Sequence, residues 1–184
     1  MTASTPDAAA RAFSKSRRRD SPRGQGRPLS HSGGGGLAAV LSFAAVALAL
    51  VGLGVATYLT VVHYAHQPIA CNGLGDCEYV NSSKYAEVAG VPVALMGALS
   101  YAAMAAAVAL AWLRRAAMLI FGAWVIAAAS FAFSMYLTYI ELQVLDAICV
   151  YCVVSATVMT ALFAVLSWLA WLRREEIFGD EEAS

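Results

Sequence analysis

Four cysteines are the residues of this 184-residue chain whose spacing suggests chemistry. Cys149 and Cys152 form a CxxC pair inside the apolar stretch AICVYCVV, and Cys71 and Cys77 form a CxxxxxC pair earlier in the chain. Residues i and i+3 of a helix lie on the same face, so the two CxxC sulfurs can meet. A pair of this kind can serve as a disulfide, a metal half-site, a haem attachment point or a redox centre.

The position of the CxxC pair favours a reactive role. We predict that the pair falls on the first turn of a helix, where the positive end of the helix dipole stabilises a thiolate at Cys149 and lowers its pKa. A thiolate is both the better attacking group and the better leaving group in thiol–disulfide exchange. The pattern therefore favours two redox-active pairs that exchange electrons.

The other roles of cysteine pairs fit less well. Haem attachment requires a His directly after the second cysteine, and Val153 stands there. A zinc site would use all four cysteines, or His63 and His66 beside some of them, but an apolar membrane helix does not suit a doubly charged ion. We therefore predict no metal. Two purely structural disulfides stay open as an alternative.

The composition predicts the elements that must position these thiols. The chain is 60% hydrophobic and 13% charged, which is about half the charge of an ordinary soluble domain. Each of four apolar stretches lacks charged residues and is longer than the ~20 residues that span a bilayer. We predict an all-α integral membrane four-helix bundle over 37–172, with spans at about 37–62, 91–113, 116–140 and 148–172.

The remaining segments are polar. Residues 1–36 are basic and contain three prolines, so we predict a disordered tail that cannot bury enough apolar surface to fold. Residues 173–184 form a second tail. The long loop at 63–90 contains NSSKYAEVAG, for which we predict a short helix lying flat at the membrane surface, capped by Asn81, Ser82 or Ser83.

Basic residues predict the orientation. Of the 12 Lys and Arg residues, all but Lys84 fall in the N-terminal tail, in the Arg114–Arg115 link or after the fourth span. The positive-inside rule then predicts a protein of the bacterial inner membrane with both termini on the cytoplasmic side. All four cysteines would lie at the outer face of that membrane. That face is oxidising, so disulfides are permitted there.

A relay through the two pairs predicts a function. A soluble thiol protein would pass electrons to the loop pair, the loop pair to the CxxC pair, and the CxxC pair to a lipid-soluble acceptor. A quinone fits, because it takes the two electrons that one dithiol yields. The chain has no GxGxxG or P-loop motif, its balanced charge gives no indication of nucleic acid, and we predict no nucleic-acid partner.

The motif CNGLGDCEYVNSSKYAEVAGVPVALMG, followed two spans later by CVYC, resembles the vitamin K epoxide reductase family over about residues 37–171. In that family a loop cysteine pair lies between the first two spans, a Ser or Thr stands six residues after its second cysteine, and the CxxC opens the fourth helix. Ser83 occupies the Ser or Thr position here. Other quinone-coupled disulfide-forming membrane proteins carry the two pairs in the reverse order.

The resemblance implies a role for each residue. Cys149 and Cys152 correspond to the active-site pair, with Cys152 nearest a menaquinone or ubiquinone and Cys149 exchanging with the loop. Cys71 and Cys77 correspond to the shuttle pair that meets a thioredoxin-like or DsbA-like extracytoplasmic protein. We expect that partner to be a separate protein, because the chain ends soon after the fourth span. Ser83 corresponds to a residue near the quinone.

Two departures bear on the substrate. Vertebrate members carry a Tyr where this chain has Ala156, and an Asn near the start of the second span, where it has VPVALMG. The resemblance thus implies a quinone-dependent thiol–disulfide oxidoreductase that supports disulfide formation in exported proteins. Vitamin K epoxide reduction and a non-enzymatic membrane protein with structural disulfides stay open as alternatives.

Overall fold

The computed structural model describes residues 32–69, 71 and 75–178, and most of these residues are helical. Two short strands, β1 (Glu87–Val88) and β2 (Val91–Pro92), pair as an antiparallel hairpin. The predicted all-α fold is confirmed. The helices, in chain order, are α1 (Ser32–Ala65), α2 (Cys77–Asn81), α3 (Val93–Arg114), α4 (Met118–Gln143), α5 (Val150–Leu172) and α6 (Arg174–Phe178).

Four of these helices, α1, α3, α4 and α5, are long and apolar enough to cross a membrane. α1 begins at Ser32, inside the segment predicted as a tail, and α4 continues past Ile140, where the predicted span ends. The predicted disorder of the N-terminal tail falls largely on residues 1–31, which lie outside the described residues, as do 179–184.

The face of α1 that packs into the bundle is made mostly of small residues. Gly52 has the closest approach, since a Cβ built there would overlap the ring of Tyr101 on α3. Small residues let membrane helices approach closely, which increases van der Waals contact where no water is available to drive association. The buried positions recur at heptad-like spacing and are Ala38, Ser42, Ala45, Ala49, Gly52, Ala56 and Leu59.

The other spanning helices pack in chain order, α3 against α4 and α4 against α5. The rings of Phe131 and Phe163 stack with centroids 5.0 Å apart between α4 and α5. Farther along the same interface, the indole N–H of Trp124 donates to Ser167 Oγ over 3.0 Å. Stacking and hydrogen bonding therefore hold α5, the helix that begins with the CxxC pair, against α4.

The helix predicted within NSSKYAEVAG is wrong in its placement. The short helix of this loop is α2, which ends at Asn81, and the following residues form turns and the β1–β2 hairpin. Ala89 and Gly90 both have positive φ, 53° and 79°, as a two-residue hairpin turn requires. Glu87 in β1 pairs with His63 Nε2 at 3.0 Å, which ties the hairpin to the end of α1.

Candidate active site

The CxxC pair lies at the start of α5. Cys149 is the residue before the helix, with extended backbone, and its carbonyl accepts the first helical hydrogen bond from Val153 N–H at 3.0 Å. Cys152 follows within the first turn. Both cysteines are free thiols; Cys149 is buried and Cys152 is half-buried. The predicted placement at a helix start is therefore observed.

Hydrogen bonds to its sulfur lower the pKa of Cys149 to about 7. The largest lowering effect comes from the Cys152 thiol, which donates to the Cys149 sulfur. Burial raises the pKa, and hydrogen bonds from the backbone N–H groups of Cys152 and Tyr151 lower it further. The negative charge of Glu141 works in the opposite direction. The direction agrees with the sequence prediction, but the neighbouring thiol contributes more than the helix start does.

The loop pair forms a disulfide between Cys71 and Cys77. Two backbone contacts hold it against the CxxC pair. Gly75 forms an antiparallel bridge with Cys149, and the N–H of Asp76 donates to the carbonyl of Ile148 over 2.9 Å. All four cysteines belong to one apolar cluster. The structure thus brings together the two pairs that are far apart in sequence.

Gly75 is required by this contact for two reasons. Its φ is +101°, a conformation that side chains rarely adopt. In addition, a Cβ at this position would overlap the carbonyl oxygen of Ile148, which is the acceptor for Asp76. The close approach between the loop and the start of α5 therefore depends on the missing side chain.

A cavity of about 320 Å³ lies beside Cys152. Its volume falls in the range of ~300–1,000 Å³ that small-molecule sites occupy, and its walls combine apolar side chains with a few polar groups, as such sites do. Cys149 does not line it, so Cys152 is the CxxC sulfur that faces the cavity. The polar side chains on its wall include Ser83, Ser134, Thr138, Glu141 and Ser155.

Tyr101 closes one wall of this cavity. Its side chain is 1% exposed, and its hydroxyl donates to the carbonyl of Ser155 over 2.9 Å and lies 3.1 Å from Ser155 Oγ. The hydroxyl thus satisfies its own hydrogen bond within the bundle. Since Tyr101 also contacts Gly52, it links α1, α3 and α5 beneath the CxxC pair.

A model of the vitamin K epoxide reductase family matches residues 43–167. The chain belongs to this family. Its members are membrane oxidoreductases that act on thiols and are associated with quinones and thioredoxin-like partners. The matched region contains all four cysteines and Ser83. Membership, four membrane-capable helices and the Cys71–Cys77 disulfide identify the chain as a multi-pass membrane oxidoreductase.

Ser83 lines the cavity. It lies in the turn after α2, where its hydroxyl donates to the carbonyl of Val80 over 2.8 Å. The hydroxyl oxygen retains acceptor capacity, and the proton can reorient toward a ligand.

Glu141 is the site residue that sequence reasoning missed. It is 7% exposed, its Oε2 lies 3.5 Å from the backbone N–H of Cys149, and it lines the same cavity as Cys152. The predicted third span ends at residue 140, because the residue that follows it is charged. One feature of the sequence could have indicated its role: Glu141 lies eight positions before Cys149. A carboxylate at that distance can reach the CxxC pair if the third spanning helix continues past residue 140.

The two histidines considered for a zinc site lie apart from the thiols. His63 contacts Glu87, and His66 is exposed just after α1. Within 32–69, 71 and 75–178, His, Cys, Asp and Glu side chains do not gather in threes as a metal site would require.

Proposed function

We propose that this protein is a quinone-dependent thiol–disulfide oxidoreductase that oxidises a thioredoxin-like or DsbA-like protein outside the membrane. The electrons pass to membrane menaquinone or ubiquinone, and the result is disulfide formation in exported proteins. The observation that carries the proposal is the bridge between Gly75 and Cys149, which holds one cysteine pair against the other.

The surroundings of the two cysteine pairs suit different reaction partners, a soluble protein for the loop pair and a quinone for the CxxC pair. The loop disulfide lies beside a second surface depression, lined by Ile69, Asp76 and Tyr79 among others, which is open to a soluble protein. Cys152 instead faces the mainly apolar cavity within the bundle. A quinone head group is flat, largely apolar and carries two carbonyl acceptors, so it fits walls that combine apolar side chains with hydroxyls.

The proposed reaction balances over three exchanges. The dithiol of the soluble partner reduces the Cys71–Cys77 disulfide and becomes a disulfide itself. One loop thiol then attacks Cys149 of a Cys149–Cys152 disulfide, and the other loop thiol resolves the mixed disulfide and releases Cys149. Finally the CxxC dithiol gives two electrons and two protons to the quinone and returns to the disulfide. The low pKa of Cys149 makes it a good leaving group when the mixed disulfide is resolved.

Orientation is part of the proposal. The basic residues at the N-terminal tail, the Arg114–Arg115 link and the end of α5 favour cytoplasmic termini and cysteines at the outer face of a bacterial inner membrane. An oxidising outer face suits a relay whose product is disulfides.

The test uses purified full-length protein in lipid nanodiscs with a reduced DsbA-like protein and short-chain quinones. We expect Cys149→Ala and Cys152→Ala to abolish quinone reduction. We expect Cys71→Ala and Cys77→Ala to abolish the reduction of quinone by the dithiol of the DsbA-like protein. Thr157→Ala is the matched control, since Thr157 lies on α5 with an exposed side chain. Full activity in either CxxC variant would exclude the relay.

The same preparation separates the alternatives. Supplying vitamin K epoxide with dithiothreitol tests epoxide reduction, which we expect to be absent or much slower than quinone reduction. Alkylation of thiols in intact cells tests the structural-disulfide alternative. A relay shows mixed thiol states and a partner-linked disulfide, whereas a scaffold keeps all four cysteines oxidised and unreactive.

A further inference from the structure

Glu141 is the only carboxylate in the four membrane-capable helices. It is also buried, and an ionisable group inside a membrane bundle is costly unless it has partners. Among the described residues that line the cavity, the other titratable side chains are Tyr85, Tyr101 and Cys152, so Glu141 supplies its single carboxylate. A feature this costly suggests a role at the site.

The geometry gives the carboxylate two partners, both in the CxxC pair. Its Oε2 lies 3.5 Å from the backbone N–H of Cys149, and the Cys152 side chain interacts with the carboxylate and lines the same cavity. The carbonyl of Glu141 in turn accepts from Ala147 N–H over 3.1 Å, which holds the chain between α4 and α5 close to the helix end. The carboxylate therefore meets the thiol and faces the cavity at the same time.

We propose that the Glu141 carboxylate accepts the proton of the Cys152 thiol during oxidation of the CxxC pair and delivers it to the quinone. The proposal rests on the quinone-reductase function proposed above and adds the route of one proton. Cys152 faces a mainly apolar cavity rather than bulk water, so a positioned acceptor lowers the cost of removing its proton.

The atoms and electrons of the step balance. The S–H bonds of Cys149 and Cys152 break, the S–S bond between them forms, and two electrons pass to the quinone. Glu141 takes the proton of Cys152 and gives it to one quinone oxygen, so it ends in the state in which it began. The proton of Cys149 leaves to water at the outer surface, and an equivalent proton reaches the second oxygen.

The decisive variant is Glu141→Gln. Glutamine has nearly the same shape, and its side-chain oxygen can still accept from Cys149 N–H, but it does not take up a proton. General acid–base catalysis typically contributes ~10²–10⁴-fold. We expect kcat for quinone reduction to fall at least tenfold with KM for quinone within about twofold. Glu141→Asp keeps a carboxylate and should retain more of the kcat.

Glu87→Gln is the matched control. Its carboxylate is also near the outer end of the bundle but is half-exposed, pairs with His63 and does not line the cavity. We expect its kcat to stay within about twofold of the unsubstituted protein.

A second readout needs no quinone. In a Cys71→Ala, Cys77→Ala background the CxxC thiols can be titrated by thiolate absorbance. The Glu141 charge disfavours a thiolate at Cys149, so Glu141→Gln should raise the thiolate fraction about twofold or more at one pH unit below the midpoint. Thiolates then form more easily while quinone reduction slows. A purely structural loss does not give this combination.

The outcomes separate the two proposals. If the unsubstituted protein reduces no quinone, the proposed function and this proton route both fail. If it reduces quinone and Glu141→Gln keeps a kcat within twofold, the proton route alone fails. An unchanged Cys149 titration in Glu141→Gln, or a Glu141→Asp kcat no higher than that of Glu141→Gln, likewise overturns the role of Glu141.

Discussion

The backbone N–H of Asp76 donates to the carbonyl oxygen of Ile148 over 2.9 Å. Each of these residues directly precedes a cysteine, Cys77 in one case and Cys149 in the other. The hydrogen bond therefore sets the register between the loop pair and the CxxC pair through the backbone itself. Side-chain substitutions elsewhere in the loop should leave this register intact, whereas backbone changes at the contact should not.

Replacing Gly75 tests that register. Gly75→Ala places a Cβ against the Ile148 carbonyl at a φ of +101°, so we expect the loop to move away from the start of α5. Misplacement of reacting groups by about 1 Å can cost ~10²-fold in rate, and we expect transfer from the loop pair to the CxxC pair to slow roughly tenfold or more. Rapid-quench alkylation of the four thiols measures that transfer.

Gly90→Ala is the control for Gly75→Ala. Gly90 also has positive φ, +79°, but a Cβ there meets no other atom within 4 Å. Both variants place an alanine at a positive φ, which costs about 1–3 kcal/mol of strain. Only the Cβ of Gly75→Ala overlaps the carbonyl oxygen of Ile148. Equal transfer rates in the two variants would show that the carbonyl contact has no part in the relay.

The pH dependence of Cys149 follows from its lowered pKa. With a pKa of about 7, the thiolate is present above that pH and is lost as the pH falls through it. We expect Cys152→Ala to move the midpoint upward, toward the ordinary thiol value of about 8.5, since the main hydrogen-bond donor is gone. Cys152→Ser keeps a hydrogen-bond donor, so its midpoint should lie between those of the unsubstituted protein and Cys152→Ala. Thiolate absorbance against pH measures the midpoint in all three proteins. A midpoint that stays near 7 in Cys152→Ala contradicts the assigned cause.

The two neighbouring serines after α2 offer a matched pair. Ser83 lines the cavity, whereas Ser82 is exposed and donates to the carbonyl of Glu78 over 2.8 Å. If Ser83 contacts the quinone, Ser83→Ala should raise KM for quinone several-fold with little change in kcat, because one hydrogen bond contributes about 0.5–1.5 kcal/mol. Ser82→Ala should leave both constants unchanged. A larger effect from Ser82→Ala would place the quinone elsewhere.

The packing of α1 can be tested at two glycines of the same helix. A Cβ at Gly52 overlaps the buried Tyr101 ring, whereas one at Gly54 meets nothing within 4 Å. We expect Gly52→Ala to lower the free energy of unfolding by about 1–3 kcal/mol through overpacking, and Gly54→Ala to stay within about 0.5 kcal/mol. Thermal unfolding in detergent compares them. Identical melting temperatures would mean that the small-residue face of α1 is not tightly packed.

The sequence alone predicts the four spanning helices well, because soluble domains rarely contain uninterrupted apolar runs of membrane length. It also singles out the four cysteines, whose pattern depends on residue type and spacing rather than on tertiary contacts. The helix ends are less predictable. Glu141 interrupts an apolar run, yet α4 continues beyond it, since a carboxylate that finds two partners can remain inside the bundle.

The outer loop shows why the rest could not be predicted. Asn81 and the serines after it are typical helix caps, but the backbone there closes a turn, and positive φ at Ala89 and Gly90 forms a hairpin instead. The bridge from Gly75 to Cys149 joins distant parts of the chain through backbone atoms. No residue pattern encodes such a contact locally, because it depends on how the completed bundle presents the start of α5.

The burial of Cys149 also has a consequence for selectivity among electron donors. Its sulfur lies under the loop, 1% of the residue being exposed, while the loop disulfide lies beside a surface depression. Small thiols dissolved in the surrounding medium have no direct path to the Cys149 sulfur. In the proposed relay, electrons therefore reach the CxxC pair by way of the loop disulfide and not by direct attack of small thiols on Cys149.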